Sequence, residues 1–289
     1  MAACSEPEES RSFSGALFQR SRKRRARPEL LVNAVFRPLA HVVVLALVPL
    51  RVSPPLVVAA NALAGLAAVV AVAGGQLVTG ALLLQLKTVL DNADGQLARA
   101  SGRTSVLGRY LDTEADLVVN VAVFTALAYE TGSLLLALAA LVALTLVLSA
   151  DFNEEVLHRR ARGEAVETEP SAASEGPVAR ALAAAYRVVF GPQDRALQGI
   201  ASRRLERILA RVREPERRER ATLAYHDDLT STVLANFGLS TQLAVLGACL
   251  AVGRPALYLW LALACAGFLP LLQLRRERAA RRALAAKPS

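Results

Sequence analysis

Long apolar runs separated by short polar breaks dominate the chain. Each run is close to the ~20 apolar residues that cross the hydrocarbon core of a bilayer. The runs cover residues 56–73, 77–98, 107–129, 133–150, 231–252 and 256–274. Three tight turns, GGQ, ETG and GRP, join the first run to the second, the third to the fourth and the fifth to the sixth. The pattern predicts an all-α, polytopic membrane protein with six transmembrane helices.

A shorter apolar stretch precedes these runs. Residues 31–52 carry Arg37, Pro38 and His41 near one end and Arg51 at the other. This arrangement predicts an interfacial juxtamembrane helix that lies along the membrane, and a seventh, tilted span is the alternative. Upstream, the run RSRKRRAR sits in a polar tail and is expected to face anionic lipid headgroups, with no nucleic acid as partner.

The polar segments divide the chain into regions. The division comprises a disordered basic cytoplasmic tail at 1–30, the interfacial helix at 31–52, helices one to four at 53–150, a cytoplasmic helical insertion at 151–229, helices five and six at 230–275, and a basic cytoplasmic tail at 276–289. Residues 161–177, rich in Glu, Ala, Ser and Pro, are expected to form a flexible link within the insertion.

Composition and charge add an orientation. Lys and Arg number 34 against 25 Asp and Glu, yet Arg254 is the only basic residue in the three tight turns. The positive-inside rule therefore places both termini and the turn at 99–109 in the cytoplasm of a cell-membrane protein. The runs consist mainly of Ala, Leu and Val, which allow close helix packing. With only three cysteines, a disulfide framework or a thiolate metal site is not expected.

Four aspartates interrupt the second and third apolar runs, in DNADGQLARASGRTSVLGRYLDTEAD at residues 91–116. Asp91 and Asp94 share one stripe of the second helix with Ala98, beside Arg99. Asp112 and Asp116 lie one turn apart on the third helix, and Gly108 precedes Asp112 by one turn. The short turn makes the two helices antiparallel neighbours. We therefore expect the four carboxylates to converge near the cytoplasmic surface.

Such a cluster needs positive charge, because four close carboxylates repel one another. Mg²⁺, Mn²⁺ and Ca²⁺ prefer oxygen ligands, whereas the absence of Cys and His from the cluster disfavours zinc. Carboxylate-held Mg²⁺ completes its shell with water and substrate phosphates, which points to a phosphate-bearing substrate. Gly95 and Ala98 leave room for it, and Arg99 offers a fork for phosphate oxygens. The alternative is a set of solvated helix-end carboxylates paired with Arg99, Arg103 and Arg109.

The stretch resembles the signature of the CDP-alcohol phosphatidyltransferase family, Asp-x2-Asp-Gly-x2-Ala-Arg-x8-Gly-x3-Asp-x3-Asp. Its eight fixed positions are met by Asp91, Asp94, Gly95, Ala98, Arg99, Gly108, Asp112 and Asp116. The six-helix layout and the interfacial helix are also similar to the family. The resemblance implies that a CDP-linked alcohol donates a phospho-alcohol group, that a second alcohol attacks the phosphate away from the cytidine, and that CMP leaves.

The resemblance also implies roles for the residues. Two divalent cations, Mg²⁺ or Mn²⁺, are expected on Asp91, Asp94 and Asp112, with Asp116 sharing the site. Asp116 is the expected general base, so the catalytic group is Asp116, Asp112 and Arg99. Gly95, Ala98, Arg99 and Gly108 are expected to line the CDP pocket. A homodimer in the lipid bilayer is expected as well.

Three further positions have more than one interpretation each. Asn61 in the first helix bonds a neighbouring helix or touches the nucleotide, although SPP at residues 53–55 departs from the family's pattern there. Lys87, one turn before Asp91, neutralises a carboxylate, meets a phosphate or snorkels to the interface. In AYHDDLT, helix capping by Asp or Thr is favoured over a metal site at His226.

Function therefore has a leading hypothesis with alternatives. The leading one is a phospholipid-synthesising transferase with CDP-diacylglycerol as donor and glycerol phosphate, inositol phosphate or serine as acceptor. The first alternative is a soluble CDP-alcohol donor with diacylglycerol or inositol phosphate as acceptor. A cation- or proton-coupled transporter would instead be expected to show broken helices and midplane carboxylates. An inactive scaffold would be expected to have lost metal ligands, and none is missing.

Overall fold

The chain is helical throughout its described part. The structure is a computed structural model that describes residues 27–104, 106–166 and 190–286, with a few positions between 177 and 188. These residues form helices and turns without strands, so the all-α prediction is confirmed for them. The predicted tail at 1–30 lies almost wholly outside the described residues, and so does most of the link expected at 161–177.

Short turns connect the helices, and glycine makes the tightest of them. The bounds are α1 Arg37–Leu47, preceded by a π-helical turn at Val32–Phe36, α2 Pro54–Ala73, α3 Leu77–Ala100, α4 Val106–Thr131, α5 Leu134–Ala161, α6 Gly191–Leu209, α7 Pro215–Tyr225, α8 Asp228–Ala235, α9 Leu239–Ala251 and α10 Pro255–Ala285. Gly75, Gly132 and Gly253 have φ of 72°, 65° and 70° in the three tight turns. Glycine adopts this left-handed conformation without the steric cost of a Cβ atom, which is why these helices end where they do.

Among the residues that the structure describes, four segments are long and apolar enough to cross a membrane: Pro54–Ala73, Leu134–Ala161, Pro215–Ala251 and Pro255–Ala285. The remaining two predicted spans lie in α3 and α4. These helices have sufficient length, at 24 and 26 residues, but they carry the charged residues of the aspartate motif. The described part of the chain is thus helical and contains four segments that qualify as membrane spans by length and apolarity. The six-span layout stays a prediction.

Helix α1 packs on the motif helix α3. Its buried residues Ala40 and Val44 join a cluster with Val57, Ala93 and Leu97. The opposite side of α1 is apolar and exposed, as at Leu39 and Val42. One face of α1 therefore packs on protein, and the other is apolar and accessible. This is the arrangement expected of an interfacial helix. Its position at the membrane surface stays a prediction.

Glycines bring the helices around α2 and α3 into close contact, as the small-residue composition predicts. A Cβ atom at Gly80 would lie 2.5 Å from Val72 Cγ2, and one at Gly65 would lie 2.5 Å from Val119 Cγ1. At Gly247 of α9 it would lie 2.1 Å from Gln85 Nε2. Helix α2 thus packs on both α3 and α4. Among the described residues α3 and α4 do not pack closely on each other, so a gap separates their backbones.

Arginine-rich helices from the insertion pack on the far end of α10. We call α6, α7 and residues 275–285 of α10 the arginine-rich cap. Its core contains Ala201, Leu209, Ala221, Tyr225 and Ala280, and the fully buried Tyr225 donates its hydroxyl to Ala201 O at 3.0 Å. Helix α10 runs to Ala285, so most of the segment expected as a basic tail at 276–289 is helical.

Candidate active site

Three aspartates from two helices converge across the gap between α3 and α4. Asp91 lies on α3, and Asp112 and Asp116 lie one turn apart on α4. One carboxylate oxygen from each lies within 4.8 Å of the other two. All three side chains are partly accessible. Because the group contains only oxygen ligands, it can hold a hard divalent cation.

The fourth aspartate lies beside this group. Asp94, one turn after Asp91 on α3, is buried with 5% of its surface exposed. It does not belong to the set of mutually close carboxylates formed by the other three. Its Oδ2 atom and Oδ1 of Asp112 are buried and accept no hydrogen bond. Buried oxygen atoms without a donor are costly, and a bound cation would relieve that cost.

A buried lysine already supplies one positive charge. Lys87 Nζ lies 2.6 Å from Asp116 Oδ1, and the lysine side chain has no exposed surface. The contact also fixes the helix directions. Lys87 is one turn before Asp91 on α3, and it meets Asp116, one turn after Asp112 on α4, as antiparallel helices require. Of the interpretations that the sequence allows for Lys87, the structure shows neutralisation of a carboxylate.

Asn61 reaches the site from α2. Its Nδ2 atom donates to Asp91 Oδ1 at 3.3 Å, and the side chain is 1% exposed. Its own Oδ1 atom is buried and has no hydrogen-bond partner. The interhelical amide bond expected for Asn61 is therefore present, and its acceptor is one of the motif aspartates. Contact with a nucleotide stays a prediction.

The other motif residues line the C-terminal end of α3 and the start of α4. The guanidinium of Arg99 folds back along its own helix, so that a Cβ atom at Gly95 would lie 3.2 Å from Arg99 Nη1. Because glycine has no Cβ atom, position 95 leaves room for the Arg99 guanidinium in this conformation. Ala98 is half-buried and accepts the backbone N–H of Arg103 at 2.9 Å, which closes the turn after α3. Gly108, also half-buried, lies in the first turn of α4.

Polar residues that pack around the end of α5 form contacts among themselves and do not belong to the carboxylate group. Asp227 caps α8 by accepting the backbone N–H of Thr230 at 3.3 Å, which confirms the capping interpretation. His226 Nδ1 lies 3.3 Å from Glu154 Oε1, and Arg276 donates to Glu154 Oε2 at 2.7 Å. The contacts of Glu154 with His226 and Arg276 were not predicted from the sequence. Glu154 lies in DFNEEVLHRR, where charged and polar residues are frequent, so no sequence signal singles it out.

Comparison with known proteins matches the segment that contains the site. The family model for CDP-alcohol phosphatidyltransferase matches residues 51–186, a little under half of the chain. This range includes α2, α3 and α4 and therefore Asn61, Lys87 and all eight motif positions. No solved structure matches the chain.

Two characterised relatives match over a short stretch. Both are named bifunctional IPC transferase and DIPP synthase. The protein from Thermococcus kodakarensis is 48% identical over 50 residues, covering 17% of this chain and 12% of the relative. The protein from Aquifex aeolicus is 45% identical over 49 residues, covering 17% of this chain and 11% of the relative. Residues 51–186 are thus similar to the CDP-alcohol phosphatidyltransferase family, and this range contains the complete aspartate motif.

Proposed function

We propose that this protein is a membrane phosphotransferase that moves a phospho-alcohol group from a CDP-alcohol to a second alcohol and releases CMP. The observation that carries the proposal is the convergence of Asp91, Asp112 and Asp116 within 4.8 Å on the two helices that hold the complete motif. The family match over residues 51–186 supports the reaction class. The product is expected to serve phospholipid biosynthesis.

The carboxylate group fits the divalent cations that the family implies. Asp91, Asp112 and Asp116 would hold Mg²⁺ or Mn²⁺, with Asp94 as the expected fourth ligand and two ions as the expected number. The unpartnered oxygens of Asp94 and Asp112 support this fit. When bound, the metal would offset negative charge on the diphosphate and on the departing CMP.

The protein's own residues orient the substrates and move one proton. The acceptor oxygen forms a bond to the phosphorus away from the cytidine, while the bond from that phosphorus to the bridging oxygen breaks and CMP leaves. Asp116 takes the hydroxyl proton as general base, with Asp112 beside it. Arg99 meets phosphate oxygens, and Gly95, Ala98 and Gly108 leave room for the CDP group.

We propose CDP-diacylglycerol as the donor, because a site between membrane-type helices can open to a lipid and to an aqueous acceptor. The alternative is a soluble CDP-alcohol donor with diacylglycerol or inositol phosphate as acceptor. The basic residues of the termini and of the arginine-rich cap support a cytoplasmic position for both ends and for the site. A homodimer is proposed from the family resemblance.

The test is CMP release by the purified full chain in lipid, with Mg²⁺ or Mn²⁺ and CDP-diacylglycerol, against glycerol phosphate, inositol phosphate and serine. Metal-dependent CMP formation with one acceptor supports the proposal and identifies the substrate. If none reacts, soluble CDP-alcohols are supplied with diacylglycerol or inositol phosphate. If the folded protein releases no CMP with either donor class, the transferase proposal is wrong and the transporter hypothesis becomes the leading one.

A further inference from the structure

A buried lysine lies among the motif aspartates. Helix α2 leaves room for its side chain. Lys87 is fully buried and contacts Asp116 at 2.6 Å. A Cβ atom at Gly65 would lie 3.3 Å from Lys87 Cδ as well as clashing with Val119. One turn earlier on α2, Asn61 donates to Asp91. The same face of α2 therefore accommodates the lysine and supports the carboxylate next to it.

The residue type at this position is informative. Lys87 is the only lysine between residues 24 and 286, whereas arginine supplies the other basic side chains of that range. An ammonium is a compact charge on a flexible stem, and it can leave a carboxylate more easily than a planar, bidentate guanidinium can. A buried ammonium is costly without a partner, so Lys87 must stay near negative charge wherever it moves.

We infer that Lys87 is the built-in counter-cation of this site, and that a divalent cation competes with its ammonium for Asp116 and displaces it. The inference rests on the metal-dependent function proposed above. The ammonium lies 2.6 Å from Asp116 Oδ1 and therefore competes with a bound cation for the negative charge of this carboxylate. Like charges a few ångströms apart repel strongly in a protein interior. Lys87 therefore stabilises the metal-free site and lowers its affinity for divalent cations.

The first measurement is Mn²⁺ binding to the purified full chain without substrate. The electron paramagnetic resonance signal of free Mn²⁺ reports how much of the ion is bound. Lys87→Gln removes the charge but keeps a hydrogen-bond donor, and it should bind Mn²⁺ at least about tenfold more tightly than the natural protein. Lys87→Arg keeps the charge and is the matched control. It should bind Mn²⁺ no more tightly than the natural protein, since the repulsion is retained and a guanidinium leaves the carboxylate less easily.

The second measurement needs no change at Lys87 and therefore does not depend on the folding of a variant. The chain contains three lysines, Lys23, Lys87 and Lys287. Lysine labelled with ¹³C at Cε gives correspondingly few signals, and Lys23→Arg with Lys287→Arg identifies the signal of Lys87. Saturating Mg²⁺ should shift that signal, because the ammonium loses its contact with Asp116.

The outcomes separate this inference from the proposed function. If the natural protein binds Mn²⁺ but Lys87→Gln binds it with the same affinity, or if Mg²⁺ leaves the Lys87 signal unshifted, Lys87 is not the counter-cation and the metal site stands. If the natural protein binds no Mn²⁺ and the Asp112→Asn variant behaves identically, the proposed metal site itself is wrong.

Discussion

Asn61 on α2 donates a hydrogen bond to Asp91 on α3 across 3.3 Å. The amide lies outside the signature motif, yet it contacts this carboxylate from a neighbouring helix. Asn61→Ala should leave the fold intact, because a typical hydrogen bond contributes only about 1 kcal/mol to the free energy of unfolding.

Activity should respond more strongly to Asn61→Ala than stability does. Without the hydrogen bond from Asn61 to Asp91, we expect the Mg²⁺ concentration for half-maximal CMP release to rise about tenfold, since ligand-orienting partners typically contribute this much. Asn92→Ala is the matched control, because Asn92 donates to Thr88 O and Ser240 Oγ and not to the site. Equal Mg²⁺ dependence of both variants would contradict a positioning role for Asn61.

Asp116→Asn should abolish CMP release while the protein still folds. Loss of a general base typically costs about 10²–10⁴-fold in rate. Asp91→Asn should also weaken the dependence of CMP release on the divalent cation. Glu114→Gln is the control on the same helix, because Glu114 is two residues from both Asp112 and Asp116 and so points about 200° away from them. If both aspartate variants work at the rate of the natural protein, the site assignment is wrong.

Gly95→Ala tests whether the position of the Arg99 guanidinium affects substrate binding. The added methyl group would lie 3.2 Å from Arg99 Nη1, so the guanidinium would have to move by a few tenths of an ångström. We expect the KM for the CDP-alcohol to rise about tenfold, because small displacements of a substrate-binding group have large effects. Mn²⁺ affinity should be unchanged. Gly267→Ala in α10 is the control, since nothing lies within 4 Å of its added methyl group. A KM shift of the same size in the control would exclude this explanation.

The buried pair of Glu154 and Arg276 should stabilise the fold without affecting the site. Glu154 is 2% exposed, so Arg276→Met would leave a buried carboxylate without its guanidinium and cost about 3–5 kcal/mol of unfolding free energy. Arg217→Met breaks the exposed contact with Glu214 and should cost less than about 1 kcal/mol. Chemical denaturation measures both. Similar losses in the two variants would show that burial of the pair does not matter.

Much of the site was predictable because its residues lie close together in sequence. The motif spans residues 91–116, and helical periodicity places Asp112 and Asp116 on one face of α4. The short turn after α3 then brings Asp91 opposite them. Contacts made by residues distant in sequence were harder to predict. Arg276 lies 122 positions from Glu154, and no periodicity connects them.

The amino-acid sequence was enough to predict the helical class, the glycine turns and the convergence of Asp91 with Asp112 and Asp116, because these depend on local backbone preference and on spacing along two consecutive helices. The packing of the helices determines that Asp94 lies beside the group and that Lys87 neutralises Asp116. It also determines that Asn61 supports Asp91. The physical reason is that these contacts depend on how closely α2 approaches α3 and α4, which Gly65 and Gly80 allow. The depth and rotation of packed helices follow from side-chain fit across the interface, and one helix's own pattern does not contain them.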